Sequence, residues 1–556
     1  MVIGHWTLVI GILLLPGYLT LHIPPWGKAN HIKTKFGECL FLSLLISVLI
    51  AGLLGLVLAQ AGFFSLGSLL LALTAYSVFC LAFTAAERIS DLRFSIADFL
   101  NRKPVVSPAE PSAVGNRKSA VSAGVRLNWE DAIIIFLFCL SLLLYASRPA
   151  EYILGWLDAG WYVNTGVHVA KTGSLSGESP VFSSLPPSAK PLFYDSFALL
   201  KGMFPYFPAT ESRGIYLWAF AVADPDKGAL TAYHPPLFSV WIAIFYALGG
   251  LRFGLYATPF FGALSVLSLY FAAKAMFGRK VGLLVAVLLA ISFTQIHFSR
   301  MPYSEILSQC LLFSGIYGLV NWETGKSEGI RESGDRGLGN SLITDFLITD
   351  SPIYAVIAAL CFGQAALCRI DGLIAILPLV LFLGYEMILH LGSAKQLVSF
   401  VFPYGVILGD GVILASTSNR PYVELNFYGL WYKIRSLLSQ SPVLLIASGI
   451  LLGALLVLFA LLGLIRPITE IRASWMRRIS AGRHLITTFV ALAILLAALY
   501  AYFVHRSSAG GSLAQLGQLL SPLGVWLGVV GLAELIRRDI NEKTVFFLIL
   551  MLLHGL

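Results

Sequence analysis

Apolar residues fall in long unbroken runs along this chain, not at the alternating or three-to-four spacing of a half-buried surface element. Such runs predict helices immersed in hydrocarbon, which is about 30 Å thick in a bilayer. Four of them (2–19, 40–58, 63–83 and 132–145) precede the longest polar stretch. Six more follow it, at 255–273, 281–296, 306–320, 353–367, 373–389 and 397–414, and the tail adds 443–464, 485–504, 519–533 and 545–553. The last run has no polar stop, as expected of a fragment of a longer protein. Run 2–19 has no basic residue before it and no small-residue cleavage site after it, so it reads as a retained span and not a signal peptide.

Composition strengthens this picture. With 57% hydrophobic residues, 12% charged residues and a mean hydropathy of +0.81, the chain cannot form a water-soluble domain. The expected fold is all-α, a polytopic transmembrane helical bundle. Cysteines 39, 80, 139, 310, 361 and 368 lie within or beside apolar runs and read as small buried hydrophobes, not as a disulfide framework or metal site. The net charge of +9 does not point to nucleic acid, because the basic residues cluster in loops where topology and anionic membrane lipids account for them.

Those loops give an orientation. Arg88, Arg93, Arg102, Lys103, Arg117, Lys118 and Arg126 mark one cytoplasmic loop, and Arg466, Arg472, Arg477, Arg478 and Arg483 mark another. Counting spans from either anchor puts Asp158, Arg300, Glu305, Arg369 and Asp371 on the extracytoplasmic side of a plasma membrane. The two counts agree only if one of the runs 237–247 and 255–273 does not cross. The first is short and opens with His234-Pro235-Pro236, so it is expected to be re-entrant or interfacial; a hidden half-span in the preceding loop is the alternative. The expected divisions are N-terminal helices (1–86), a basic cytoplasmic loop (87–130), a membrane module (131–390) and a C-terminal transmembrane region (391–556). The module's first outer loop, 148–234, is expected to carry short interfacial helices, and residues 323–350 a flexible cytoplasmic insert.

Candidate chemistry gathers in that outer loop. Asp158 is a lone carboxylate followed by Trp161 and Tyr162, and it reads either as a helix N-cap or as a general base. The aromatics read as interface anchors or as a sugar platform. Arg300, Arg369 and His234 are candidates to hold a departing phosphate. Their plainer roles would be snorkelling, pairing with Asp371 and stacking under the proline turn. Glu305 and Asp371 reach the same side, and ionisable groups at bilayer depth, which cost roughly 2.5 to 3.5 kcal/mol, normally face a polar cavity or a partner. No HExxH, paired histidine or carboxylate run suggests a zinc or calcium cage, and no P-loop or Rossmann glycine pattern suggests direct use of a nucleotide.

Asp158 and Tyr162, with Gly166 and Ala170-Lys171-Thr172-Gly173, resemble the signature of the GT-C superfamily of membrane glycosyltransferases, in particular its protein O-mannosyltransferase and aminoarabinose transferase branch. The resemblance continues through Tyr233-His234-Pro235-Pro236-Leu237, Phe277-Gly278-Arg279-Lys280 and Ser299-Arg300-Met301-Pro302-Tyr303-Ser304-Glu305, covering residues 128 to about 389. It implies a polyprenyl-phosphate sugar donor, Asp158 as base, inversion at the sugar, and a protein, lipid or glycan acceptor. Ala159 stands where many relatives carry a second acid, which leaves open whether one divalent cation takes part through Asp158 and the donor phosphate. A transporter or flippase of lipid-linked glycans is the rival from another class, and an O-antigen polymerase or ligase the rival enzyme.

Overall fold

The computed structural model describes residues 14–21, 36–101, 128–151, 158–190, 215–216, 220–224, 226–333, 352–376, 378–380, 382–383, 394–420, 422–423 and 426. The four tail runs, most of run 2–19 and about half of run 373–389 lie outside the described residues. Residues 1–373 and 393–432 form one compact unit, and 374–392 with 433–556 another. The candidate site and its supporting helices belong to the first.

That unit is mainly helical. A short helix α1 (14–21) is followed by α2 (Phe36–Gln60), α3 (Leu66–Asn101), α4 (Trp129–Ala146) and α5 (Asp158–Thr172). After the 148–234 loop come α7 (Leu237–Gly249), α8 (Leu251–Gly254), α9 (Ala257–Phe277), α10 (Arg279–Ile291), α11 (Phe293–Arg300), α12 (Glu305–Ser333), α13 (Ile353–Cys368) and α14 (Ala394–Ser416). Among the described residues, five helices are long and apolar enough to cross a membrane, or six if α10 and α11 count as one bent span.

Several elements depart from their sequence-based expectations. Among its described residues the loop 148–234 carries α5 and the single-turn α6 (Pro180–Ser183), and beside them an antiparallel sheet of β1 (Ser176–Glu178), β2 (Ile215–Tyr216), β3 (Phe220–Asp224) and β4 (Ala229–Ala232), in the order β1-β4-β3-β2. Phe182, Phe220, Val222 and Leu230 give this sheet a small core of its own. The strands are two to five residues long, too short for hydrophobic periodicity to announce them. Run 281–296 is not one straight span: Ser292 leaves the helical region (φ −59°, ψ 128°) and α11 turns 58° from α10. Helix α3 continues to Asn101, into the expected basic loop, and α12 to Ser333, into the expected flexible insert. Run 237–247 is helical and short, as its length suggested. Four cysteines are buried, Cys39 is partly exposed, and Cys139 on α4 is exposed.

The N-terminal helices are not an appendage. Helix α2 sits deep in the unit, docked at both ends and in the middle. Its first turn receives Tyr317 Oη on Glu38 (2.5 Å) and donates Gly37 N–H to Asp131 (3.0 Å). Midway, Gln364 Nε2 donates to the Leu49 carbonyl (3.0 Å). At its far end Gln60 Nε2 donates to Asp410 (3.0 and 3.1 Å). The hairpin joining α2 to α3 then grips the end of α5, through Phe64 N–H to Gly173 O (3.0 Å) and Leu175 N–H to Ala59 O (3.2 Å).

Helix α4 links two polar clusters. Its start is closed by a capping box between Asn128 and Asp131. There buried Glu130 accepts from Tyr270 (2.7 Å) and Lys274 (2.5 Å), while Arg279 stacks on Trp129 at 4.0 Å. Its C-terminal end receives the Arg300 guanidinium.

Candidate active site

Asp158 occupies the first turn of α5, where a carboxylate is favoured by the partial positive charge of the helix start. The helix is held against α7 by close approach at Gly166: a Cβ there would lie 2.7 Å from Ile242 Cγ2 and 2.8 Å from the Ser239 carbonyl. Tyr162 lies one turn after Asp158 on the same face and is 2% exposed. Trp161 is also buried, its ring 4.4 Å from Tyr233 and 4.7 Å from His234. These two aromatics therefore build the wall of the site and have little surface to offer a sugar.

The Asp158 carboxylate is half-exposed, with Oδ1 3.7 Å from His234 Nε2. Burial pushes the Asp158 carboxyl above its ordinary value, with Arg369 opposing the shift. His234 is almost wholly buried, and burial, helped by Arg369, lowers it to about 3. The imidazole is neutral at working pH, so the contact is a polar one and not an ion pair. Its Nδ1 is buried without a hydrogen-bond partner, and the neutral ring is not a cation.

Arg369 is the cation of this group. It follows α13 in extended conformation and directs Nε to both oxygens of Asp371 (3.1 Å each) and Nη1 to Glu305 Oε1 (2.7 Å). These carboxylates raise its already high pKa further against the effect of burial. Nη1 also donates to Ser304 Oγ at 3.4 Å, and Ser304 Oγ donates to Tyr162 Oη at 2.8 Å. A continuous polar path thus ties the arginine to the helix that bears Asp158. The second Glu305 oxygen, Oε2, is buried without a hydrogen-bond partner.

Arg300 does something else. Its guanidinium donates to the Leu144 carbonyl (2.8 and 3.3 Å) and to Ser147 Oγ (2.9 Å), closing the C-terminal end of α4. The structure thus engages Arg300 with the end of α4 and not with the carboxylates around Arg369. Asp158, His234, Tyr162, Trp161, Arg369, Glu305 and Asp371 do come together.

Sequence reasoning missed Ser304, Tyr233, Asn419 and Tyr422. Asn419 Nδ2 donates to the carbonyls of Tyr233 (3.1 Å) and His234, and the Tyr422 ring lies 4.7 Å from His234 and 5.5 Å from Tyr233. Ser304 stands inside a motif already noted, but a hydroxyl carries no signature of its own. Asn419 and Tyr422 arrive from about 185 residues downstream, where no motif marks them.

Among the described residues no group of three or more His, Cys, Asp and Glu side chains is placed to hold a metal ion. No family model, curated protein or solved structure matches the chain.

Proposed function

We propose that this chain is an integral membrane glycosyltransferase of GT-C type that moves a sugar from a polyprenyl-phosphate donor to an acceptor hydroxyl on the extracytoplasmic side of the plasma membrane. One observation carries the reading. Of three carboxylates gathered around Arg369, Glu305 and Asp371 are in direct ion pairs with it, while Asp158 is half-exposed and faces a neutral imidazole. A carboxylate kept free of a cationic partner, in surroundings that raise its pKa, is suited to accept a proton.

In the proposed reaction Asp158 takes the acceptor hydroxyl proton as that oxygen bonds to the sugar's anomeric carbon. The bond from that carbon to the phosphate oxygen breaks with its electron pair, and polyprenyl phosphate leaves. Inversion is the outcome expected of a single displacement of this kind. Arg369, fixed by Glu305 and Asp371, stabilises the negative charge that grows on phosphate. His234 orients the Asp158 carboxylate without neutralising it. The acceptor, a protein hydroxyl, a glycolipid or an envelope glycan, sets the specificity that the open side of Asp158 permits.

Sugar transfer by purified protein in detergent, from labelled polyprenyl-phosphate hexose or pentose to an envelope extract, tests this. Asp158→Asn is expected to lower turnover by about 10²- to 10⁴-fold, the range of general base catalysis, with donor binding retained. Wild-type turnover in that variant would remove Asp158 as base. The break between α10 and α11 favours a second reading, since transporters use interrupted helices. Absence of transfer from every donor, together with flux of a lipid-linked glycan in vesicles, would establish that one.

A further inference from the structure

Beyond about residue 389 the resemblance noted in the sequence is only a looser architectural one, yet the site continues. Helix α14 closes with Thr417 N–H on Ile413 O (3.0 Å) and Asn419 N–H on Leu414 O (2.9 Å), and the chain turns back over the His234-Pro235-Pro236 segment. Thr231 Oγ1 donates to the Ser418 carbonyl at 3.4 Å. The carbonyls of Tyr233 and His234 lie upstream of α7, where no helical N–H reaches them, and the prolines that follow have no N–H to offer. Asn419, 3% exposed, supplies both missing donors from one amide nitrogen. The next turn begins with Val423 N–H on Asn419 O (3.0 Å), which sets Tyr422 on the face of Asn419 and against the His234 ring.

We propose that this turn completes the transfer site, with Asn419 as a positioning residue and Tyr422 as a residue that contacts the donor phosphate; the proposal rests on the reading of the chain as a polyprenyl-phosphate-dependent transferase. The argument is one of access. Arg369 already serves two carboxylates, so a phosphate arriving beside it needs further neutral donors. Of the hydroxyls gathered here, those of Ser304, Tyr162 and Tyr233 belong to residues no more than 3% exposed, whereas Tyr422 is only half-buried. Arg369, Asp371, Asp158 and Glu305 all act electrostatically on the Tyr422 hydroxyl, which places it among the charged groups of the cleft. Asn419 acts at one remove, by fixing the backbone that carries His234 toward Asp158.

Steady-state kinetics of Tyr422→Phe and Asn419→Asp test this, with melting temperature as a control. Tyr422→Phe keeps the ring against His234 and removes the hydroxyl. It is expected to cut kcat/KM for the donor about 10- to 100-fold, the factor for one charge-assisted hydrogen bond, with acceptor KM and melting temperature unchanged. Asn419→Asp keeps the shape and removes the donor nitrogen; kcat is expected to fall by more than donor KM changes. Wild-type kinetics in Tyr422→Phe would overturn the proposal even if Asn419→Asp fails to fold. If wild type transfers from no donor, the functional reading falls on its own, and the shift in melting temperature caused by polyprenyl phosphate decides the contact. A wild-type shift that shrinks in Tyr422→Phe supports it; equal shifts, or none in wild type, overturn it.

Discussion

Burial acts on Asp158 and His234 in opposite senses, and that separation makes a prediction at the residue scale. Desolvation raises the Asp158 carboxyl and lowers the His234 imidazole to about 3, each shift disfavouring the charged form. A base must be deprotonated to work, so activity is present above the Asp158 pKa and lost as pH falls through it. The kcat/KM profile is expected to show one acidic limb, displaced upward from the ordinary carboxylate range, and no step from a histidine near its usual value of about 6.5. A limb that vanished in His234→Gln while Asp158 was intact would assign the titration to histidine. The same residues show what a sequence can convey. Asp158 stood out because a lone carboxylate beside a span is costly unless used. Arg300 stood out for the same reason, but its bonds to the end of α4 were not legible, because nothing in sequence tells a guanidinium that caps a helix from one that awaits a phosphate.

Hydrophobic runs made most of the helices legible, since a run of twenty apolar residues has few alternatives to a helix in lipid. The sheet of the 148–234 loop was not legible, and neither was the break at Ser292, where an unremarkable serine leaves helical geometry within an apolar run. Gly166 lies between these cases: its place in the motif was visible, but its reason is packing. With Ile242 Cγ2 2.7 Å and the Ser239 carbonyl 2.8 Å from a would-be Cβ, Gly166→Val must push α5 away from α7. Because α5 carries Asp158 and α7 follows His234, the substitution is expected to destabilise by about 1 to 3 kcal/mol, as overpacking does. Its melting temperature should fall, and transfer should fall further than loss of folded protein explains. An unchanged melting temperature would show that the two helices have room to part.

At the scale of the molecule, the division expected after residue 86 does not coincide with the packing. Helix α2 is held by Tyr317, Asp131, Gln364 and Asp410, which belong to four other helices. Removal of residues 1–86 is therefore expected to leave protein that elutes as aggregate on size exclusion, and separate co-expression of residues 1–101 to restore a monodisperse peak. A monodisperse truncated protein would make the N-terminal helices dispensable. Composition shows that α2 is long and apolar enough to cross a membrane but not which neighbours it finds, because those contacts join positions up to 350 apart in the chain. Order of synthesis gives that separation a meaning in time. Helix α2 is made among the first and carries no charged residue between Glu38 and Gln60, so it can wait in lipid as a solitary helix; Gln364 and Asp410 reach it only after most of the described chain has left the ribosome. The helix at the centre of the unit is thus laid down early and locked late, and in nascent chains halted before residue 352 a photocrosslinker at position 49, buried in the finished unit, should still capture lipid.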